Sequence, residues 1–252
     1  MTRIIINGAC GRMGRAIAEV VSERGDCTIA GGMDRFAAAD MPFAVCEPYA
    51  CDAEADVIID VSNSASIDEG LLEYAIARKL PIVICTTGHS EAQQQKIREA
   101  SREIPVFYSG NMSLGINLLM ALSRKAAEIL GDTFDVEIVE AHHNKKLDAP
   151  SGTALMLAGA VSQGLSEQPV YTYDRHSVRQ ERRKEEIGIH SIRGGTIVGE
   201  HSVIFAGKDE VLTLSHSAGS RKMFAAGAVN AAVYVSDKTG GMYDMSALLG
   251  AL

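Results

Sequence analysis

Residues 3–14 read RIIINGACGRMG, in which an apolar run ends in three glycines with the spacing G-x-x-G-x-x-G. Apolar residues then recur at helical spacing over residues 12–23. The order strand, glycine turn and helix is typical of the first unit of a doubly wound α/β sheet. Glycines in such a turn let the backbone approach a pyrophosphate, so the stretch is a variant of the G-x-G-x-x-G dinucleotide fingerprint.

An acidic residue, Asp34, stands at the end of the second predicted strand, residues 27–33. A carboxylate at this place suits a ribose 2′-hydroxyl, whereas the adjacent Arg35 suits a 2′-phosphate. Because the two neighbours favour different cofactors, we predict a site that accepts NADH and NADPH. The alternative is a simple glycine turn beside a surface Asp-Arg pair.

The remainder of the first half continues the alternation of strands and helices. Strand-like runs lie at residues 56–61, 81–85 and 104–108, and helical patterns at 66–79 and 91–102. Strands rich in Val and Ile that alternate with helices favour a parallel sheet covered on both faces. The turn Thr86-Thr87-Gly88 ends the fourth strand, at the edge where such sheets bind ligands. It either contacts a nicotinamide or is only a polar turn.

The pattern changes after the turn at residues 110–113. A helix is predicted at 114–130, a strand at 134–142, a helix at 151–163, strands at 186–193, 201–206 and 210–217, and a last helix at 220–238. Strands that follow one another without helices between them indicate a separate, mixed α+β unit.

Residues 140–154, EAHHNKKLDAPSGTA, concentrate the groups that can carry chemistry. Two histidines and two lysines fall within five positions, and Ser151-Gly152-Thr153 then opens an apolar, helix-like run. Because the start of a helix attracts anions, the stretch predicts a pocket for a carboxylated small molecule with proton donors beside it. The alternative is an ordinary polar connection between a strand and a helix.

Composition excludes several classes of function. The 252-residue chain has a net charge of −8, which opposes binding to nucleic acid or to an anionic membrane. No apolar stretch is long enough to span a bilayer, and the first residues run directly into a strand, so we expect no signal peptide. The five cysteines form no C-x-x-C pair, which predicts neither disulfides nor a metal site. A reducing cytoplasm fits best.

Taken together, the glycine loop, the Thr-Thr-Gly turn, residues 140–154 and the stretch GTIVGEH at 195–201 resemble one family nearly end to end. That family is the 4-hydroxy-tetrahydrodipicolinate (dihydrodipicolinate) reductases of bacterial lysine and diaminopimelate biosynthesis. The resemblance implies a Rossmann-like doubly wound domain of residues 1–113 and 220–252, with an α+β domain for substrate and tetramerisation, 114–219, inserted between. It also implies reduction of a small dicarboxylate by NADH or NADPH in a cytoplasmic homotetramer.

The resemblance also implies roles for individual residues. His142 would be the proton donor or acceptor and Lys146 a second donor, while His143, Gly152 and Thr153 would bind the carboxylates of the substrate. The implied cofactor contacts are Gly8, Ala9, Cys10, Gly11, Arg12, Met13, Asp34, Arg35, Cys85, Thr86, Thr87, Ser109, Gly110, Asn111 and Met112. The family usually has glycine in place of Cys85 and often phenylalanine in place of Met112, and both positions flank the expected nicotinamide site.

Two other kinds of protein would share part of this pattern. Another two-domain NAD(P)-dependent dehydrogenase would keep the glycine loop but has no need of the histidine, lysine and Ser-Gly-Thr groups together. A nucleotide sensor without catalysis would keep residues 8–34 and dispense with His142 and Lys146. The remaining histidines, 89, 176, 190, 201 and 216, are expected at the surface or in supporting positions.

Overall fold

The computed structural model describes residues 1–36 and 40–251, except for the side chain of Asp132. The chain folds into two compact units. The first consists of Met1–Leu114 with Lys222–Leu252, and the second of Gly115–Arg221.

The bounds of the elements in the described residues are as follows. The strands are β1 (Thr2–Asn7), β2 (Cys27–Met33), β3 (Val45–Cys46), β4 (Val57–Asp60), β5 (Ile82–Ile84), β6 (Pro105–Tyr108), β7 (Asp135–His142), β8 (Val170–Thr172), β9 (Glu186–Arg193), β10 (Gly199–Ala206), β11 (Val211–Ala218) and β12 (Gly241–Tyr243). The helices are α1 (Arg12–Ser22), α2 (Ser66–Glu69), α3 (Leu71–Ala77), α4 (Glu91–Ala100), α5 (Leu114–Leu130), α6 (Gly152–Gly164), α7 (Lys222–Val235) and α8 (Met245–Leu249).

The first unit is built on a parallel seven-stranded sheet in the order β12-β6-β5-β4-β1-β2-β3. Successive residues of a strand point to opposite faces, so Ile4 and Ile6 pack beneath α1 and α7 while Ile5 packs against α3 and α4. Both faces are therefore covered, which explains the nearly continuous apolar strands. The predicted doubly wound parallel sheet is confirmed.

Several boundaries differ from those that the sequence pattern predicts. The predicted helix 66–79 is two helices, α2 and α3, because Gly70 adopts a left-handed φ of +118° between them. The last long helix covers Lys222–Val235 instead of residues 220–238. Strands β3, β8 and β12 have two or three residues each, too few for an alternating pattern to be recognised.

The second unit is a mixed five-stranded sheet in the order β11-β10-β7-β9-β8. β10 pairs antiparallel with β7 and β11, whereas β9 pairs parallel with β7 and β8. Helices α5 and α6 cover one face through apolar side chains such as Leu119 and Leu157, which pack with Ile138 and Phe205. This arrangement is the predicted α+β fold.

Helix α7 approaches the backbone of the first unit closely at Gly227. A Cβ atom there would lie 1.7 Å from the Met112 carbonyl oxygen, so Gly227→Ala must displace backbone. We expect the free energy of unfolding to fall by about 1–3 kcal/mol, the usual effect of overpacking, as measured by urea denaturation. Gly159→Ala in α6 is the control, since its Cβ would meet no atom within 4 Å and alanine favours helix. Equal stability of the Gly227 variant and the native chain would contradict the close approach.

Candidate active site

The glycine loop follows β1, and two of its glycines are required by close contacts. Gly8 has a φ of +84°, and a Cβ there would lie 2.9 Å from the backbone of Ser62. A Cβ at Gly14 would lie 2.4 Å from the carbonyl oxygens of both Gly8 and Ala9. The loop can therefore pack against the end of β4 and the start of α1 only without these side chains.

Asp34 joins the end of β2 to this loop. Its Oδ2 accepts a hydrogen bond from the Cys10 backbone N–H at 2.9 Å, and its Oδ1 accepts one from the Phe36 N–H at 3.1 Å. The neighbouring Arg35 forms an ion pair with Glu69. Asp34 is thus hydrogen-bonded to the glycine loop, whereas Arg35 is paired with the carboxylate of Glu69.

A cavity of about 310 Å³ lies in the first unit beside the loop, lined by Gly8, Gly11, Asp34 and Arg35 among others. Ser66 also lines it, and its buried hydroxyl finds no hydrogen-bond partner among the described residues. A tight glycine turn, a carboxylate and an unused hydroxyl around one cavity are features that suit a nucleotide.

A buried carboxylate, Asp60, ties three strand ends together in the same unit. It accepts hydrogen bonds from Asn7 Nδ2 at 2.8 Å, from Ser62 Oγ at 2.6 Å and from Thr86 Oγ1 at 2.8 Å. Burial raises the pKa of Asp60, and burial together with the Asp60 charge raises the pKa of the Cys85 thiol. Thr86 is thereby positioned at the carboxyl edge of the sheet, beside the glycine loop.

The other implied cofactor residues lie in three short segments of the same unit. In the first turn of α1, Arg12 is exposed and Met13 packs partly against the core. Thr87, after β5, is exposed. After β6, the Ser109 hydroxyl donates to the Asn111 carbonyl oxygen at 3.0 Å. The Met112 side chain is only 4% exposed and belongs to the core of the unit.

In the second unit, β7 ends in a buried glutamate and histidine pair. Glu140 is fully buried, and its Oε2 lies 2.5 Å from Nδ1 of His142. An ionised carboxylate can only accept hydrogen bonds, so Nδ1 carries the proton. The ring therefore presents Nε2 as the nitrogen that can exchange a proton.

Three donors keep this carboxylate ionised. Arg193 of β9 donates to both oxygens of Glu140, at 2.8 and 2.7 Å, and the Ser151 backbone N–H donates at 3.1 Å. Burial by itself raises the pKa of Glu140, but the hydrogen bonds from Arg193 and the other donors outweigh it and lower the pKa to about 2. Glu140 is thus a fixed negative charge at neutral pH.

A second histidine, His201 of β10, lies beside the first. The centroids of the His142 and His201 rings are 5.2 Å apart, and Nε2 of His201 lies 3.1 Å from Ser151 Oγ. Ser151 Oγ also accepts the Ala154 N–H at 3.1 Å and so caps the start of α6. Burial and the neighbouring His142 lower the pKa of His201 to about 4, which keeps it neutral at pH 7.

The remaining residues predicted for catalysis and substrate binding lie in the loop after β7 and in the first turn of α6. Lys146 Nζ forms an ion pair of 2.9 Å with Asp148 Oδ1, and this contact lowers the pKa of Asp148. The His143 carbonyl oxygen accepts the Lys146 backbone N–H at 3.1 Å. Gly152 is exposed, and a Cβ there would meet nothing within 4 Å, whereas Thr153 is half-buried. The helix start is therefore accessible from solvent at Gly152.

Sequence reasoning did not include Glu140 or Arg193 among the functional residues, and it assigned His201 only a supporting or surface position. Glu140 had a detectable signal, because residues two apart on a strand share a face and it stands two before His142. No signal in the sequence identified Arg193, because 53 residues separate it from Glu140 and only the pairing of β7 with β9 brings the two together.

The buried carboxylate predicts an acid-sensitive stability. The pKa of Glu140 falls from 4.5 to about 2 on folding, so its stabilising effect is complete above pH 4.5 and is lost as the pH falls towards 2. The pKa of His201 falls from 6.5 to about 4, so stability is also lost as the pH falls through that range. Urea midpoints recorded from pH 8 to pH 3 should fall steadily below about pH 6.5. A flat profile would contradict both assignments.

Across residues 1–36 and 40–251, no helix is both long and apolar enough to cross a membrane. The same residues contain no group of three or more His, Cys, Asp or Glu side chains arranged to hold a metal ion.

Comparison with known proteins assigns the chain to a family. Residues 2–112 match the model of the dihydrodipicolinate reductase N-terminus, and residues 115–249 match that of the C-terminus. The 4-hydroxy-tetrahydrodipicolinate reductase of Caldanaerobacter subterraneus subsp. tengcongensis is 48% identical over 99% of this chain and 98% of its own length. The enzyme of the same name from Clostridium novyi is 44% identical over 97% of each chain.

A solved structure has the same fold. The dipicolinate-bound dihydrodipicolinate reductase of Paenisporosarcina sp. TG-14 superposes with a TM-score of 0.79 over 97% of each chain, at 24% identity. The resemblance inferred from the sequence is confirmed, and the chain belongs to the dihydrodipicolinate reductase family.

Proposed function

We propose that this chain catalyses the reduction of 4-hydroxy-tetrahydrodipicolinate to tetrahydrodipicolinate by NADH or NADPH, in lysine and diaminopimelate biosynthesis. One observation carries the proposal. His142 Nδ1 contacts the buried carboxylate of Glu140. The chain that carries this histidine matches relatives named for this reaction over almost the whole length of both chains. The relatives' name and the geometry of the histidine support the same chemistry.

The first unit is the cofactor-binding part in this proposal. The dinucleotide would supply the hydride, and its phosphates would lie against Gly8–Met13, where Gly8 and Gly14 allow close approach of the backbone. Asp34 and Arg35 would meet the adenosine ribose. The remaining cofactor contacts would come from Cys85–Thr87 and Ser109–Met112.

The second unit is the substrate-binding part. His143, Gly152 and Thr153 would bind the carboxylates of a ring dicarboxylate, the chemical class of the dipicolinate named in the solved relative. A hydride acceptor becomes electron-rich as the hydride arrives, so a proton donor must stand beside it. His142, protonated on both nitrogens before the step, would give up the proton on Nε2 and keep the one on Nδ1, and Lys146 would supply a second proton or a fixed charge.

The proposal extends to the assembly and its compartment. The chain would act as a homotetramer in the cytoplasm, joined through the second unit. The uncovered sheet face of that unit supports this, since it carries the exposed apolar side chains Ile192 and Val211. Light scattering on the purified chain should give four times the mass of one chain, and a monomer would exclude this assembly.

A coupled assay tests the reaction. The substrate is made in place from aspartate semialdehyde, pyruvate and the upstream synthase, and oxidation of the reduced cofactor is followed by absorbance. We expect NADH and NADPH, assayed side by side, to be consumed only in the complete mixture. Consumption with unrelated carbonyl compounds would favour another dehydrogenase, and cofactor binding without turnover would favour a sensor.

A further inference from the structure

We propose that Glu140 and Arg193 form a positioning pair that holds His142 as the tautomer protonated on Nδ1, so that Nε2 alone faces the substrate. This role rests on the proposed function, because it concerns the proton that accompanies hydride transfer. Neither residue needs to touch the substrate, and both act through the imidazole.

The carboxylate is suited to this role because all of its hydrogen-bonding directions are used. Oε2 accepts from His142 Nδ1 and from one Arg193 nitrogen, while Oε1 accepts from the other Arg193 nitrogen and from the Ser151 N–H. Glu140 has no exposed surface. A buried carboxylate held by four donors has no other orientation available, so it fixes the plane of the histidine ring.

A glycine lies beside the opposite edge of the ring. A Cβ atom at Gly199 of β10 would lie 3.1 Å from His142 Nε2 and 3.4 Å from its Cδ2. Because Gly199 has no side chain, space remains beside the nitrogen that does not face Glu140. The ring thus has one edge bound by a carboxylate and one edge free of side-chain contact from residue 199.

Arg193 has a separate function, which is to keep Glu140 ionised. A buried carboxyl without a cationic partner tends to be neutral. A neutral carboxyl could donate its own proton to Nδ1 and would then favour the opposite tautomer. Arg193 is itself anchored, since its Nη2 also donates to the Asp148 carbonyl oxygen at 2.6 Å.

Other titratable groups lie in this part of the second unit. His201 of β10 packs edge-on against the His142 ring, and His216 of β11 and Lys146 are close enough to His201 to lower its pKa, while Lys146 is paired with Asp148. All of them are retained when Glu140 or Arg193 is replaced. A difference between the native chain and such a variant is therefore due to the pair.

Nitrogen-15 NMR of histidine-labelled protein, without substrate, tests the positioning. In the native chain we expect the His142 signals of the Nδ1–H tautomer. In Glu140→Gln the share of the Nδ1–H tautomer should fall, because the carboxylate that accepts the Nδ1 proton is replaced by an amide whose N–H can donate to Nδ1. Arg193→Gln should act in the same direction, the double variant should add little, and Arg193→Lys should restore part of the native behaviour.

The matched control is Glu137→Gln. Glu137 lies on the same strand but on the other face, where it also holds a histidine, His190 Nε2 at 2.7 Å, and an arginine, Arg182 Nε at 3.1 Å. This variant should leave the tautomer of His142 unchanged. A general loss of strand structure would instead affect both glutamate variants alike.

Kinetics in the coupled assay give the second measurement. Glu140→Gln should lower kcat by at least about tenfold, with little change in the Kd of NADH. An unchanged His142 tautomer in both Glu140→Gln and Arg193→Gln would overturn the positioning role even if activity fell. If the NMR shifts occur but the native chain does not reduce the substrate, the proposed reaction is wrong and the positioning pair stands.

Discussion

His142→Gln is expected to lower kcat at least about tenfold, within the range by which positioned acids and bases accelerate reactions. Glutamine keeps a polar group of similar reach but cannot transfer a proton at neutral pH. The Kd of NADH should change little, since the predicted cofactor residues lie in the other unit. Stopped-flow turnover together with NADH fluorescence titration separates the two quantities. His176→Gln, at an exposed position, is the control.

Lys146→Ala provides a companion measurement on the same stretch. Its ammonium group pairs with Asp148, in the loop that leads to α6, and we expect its loss to affect turnover and substrate binding together. We therefore expect kcat to fall and KM for the substrate to rise. Native kinetics in both the His142 and Lys146 variants would remove the active site from residues 140–154.

Gly14→Ala is expected to weaken NADH binding by at least about tenfold, which corresponds to roughly 1.4 kcal/mol. A Cβ at residue 14 would lie 2.4 Å from two backbone carbonyl oxygens of the loop, those of Gly8 and Ala9. Backbone cannot yield as the tip of a side chain can, so the loop must move away from the position in which it would bind phosphate. NADH fluorescence titration measures the effect.

A second glycine gives the control for this experiment. Gly25 is exposed, and a Cβ there would meet nothing within 4 Å, so Gly25→Ala should retain native affinity. Circular dichroism of the Gly14 variant verifies that the chain still folds. Native NADH affinity in a folded Gly14→Ala protein would contradict the role of the loop.

Much of the fold could be predicted because it depends on local patterns. The run Ile4–Ile6, the glycines at 8, 11 and 14 and the helical spacing beyond them are contiguous in sequence. The long helix Leu114–Leu130 and the strand Glu186–Arg193 agree residue for residue with prediction. The break at Gly70 was missed because apolar spacing continues across it, although its left-handed φ ends one helix and begins another.

The candidate site could be predicted only in part. His142, Lys146 and the start of α6 lie within one stretch, so their chemistry was visible in the residue types. Two ion pairs of the site could not be predicted, because each joins residues far apart in the chain. They are Arg35 with Glu69 and Glu140 with Arg193. No sequence pattern reports the charge partner of a residue when the partner comes from another element.

The order of strands and helices, the glycine loop and the stretch that bears the histidines and lysines are all visible in the primary sequence, because each is a short-range property of neighbouring residues. The protonation of the site residues depends instead on the folded chain. Burial of Glu140 under Arg193 sets which nitrogen of His142 carries the proton, and burial of His201 keeps that ring neutral. These properties depend on solvent exclusion and on charges brought together by sheet pairing, and neither exists until the chain has folded.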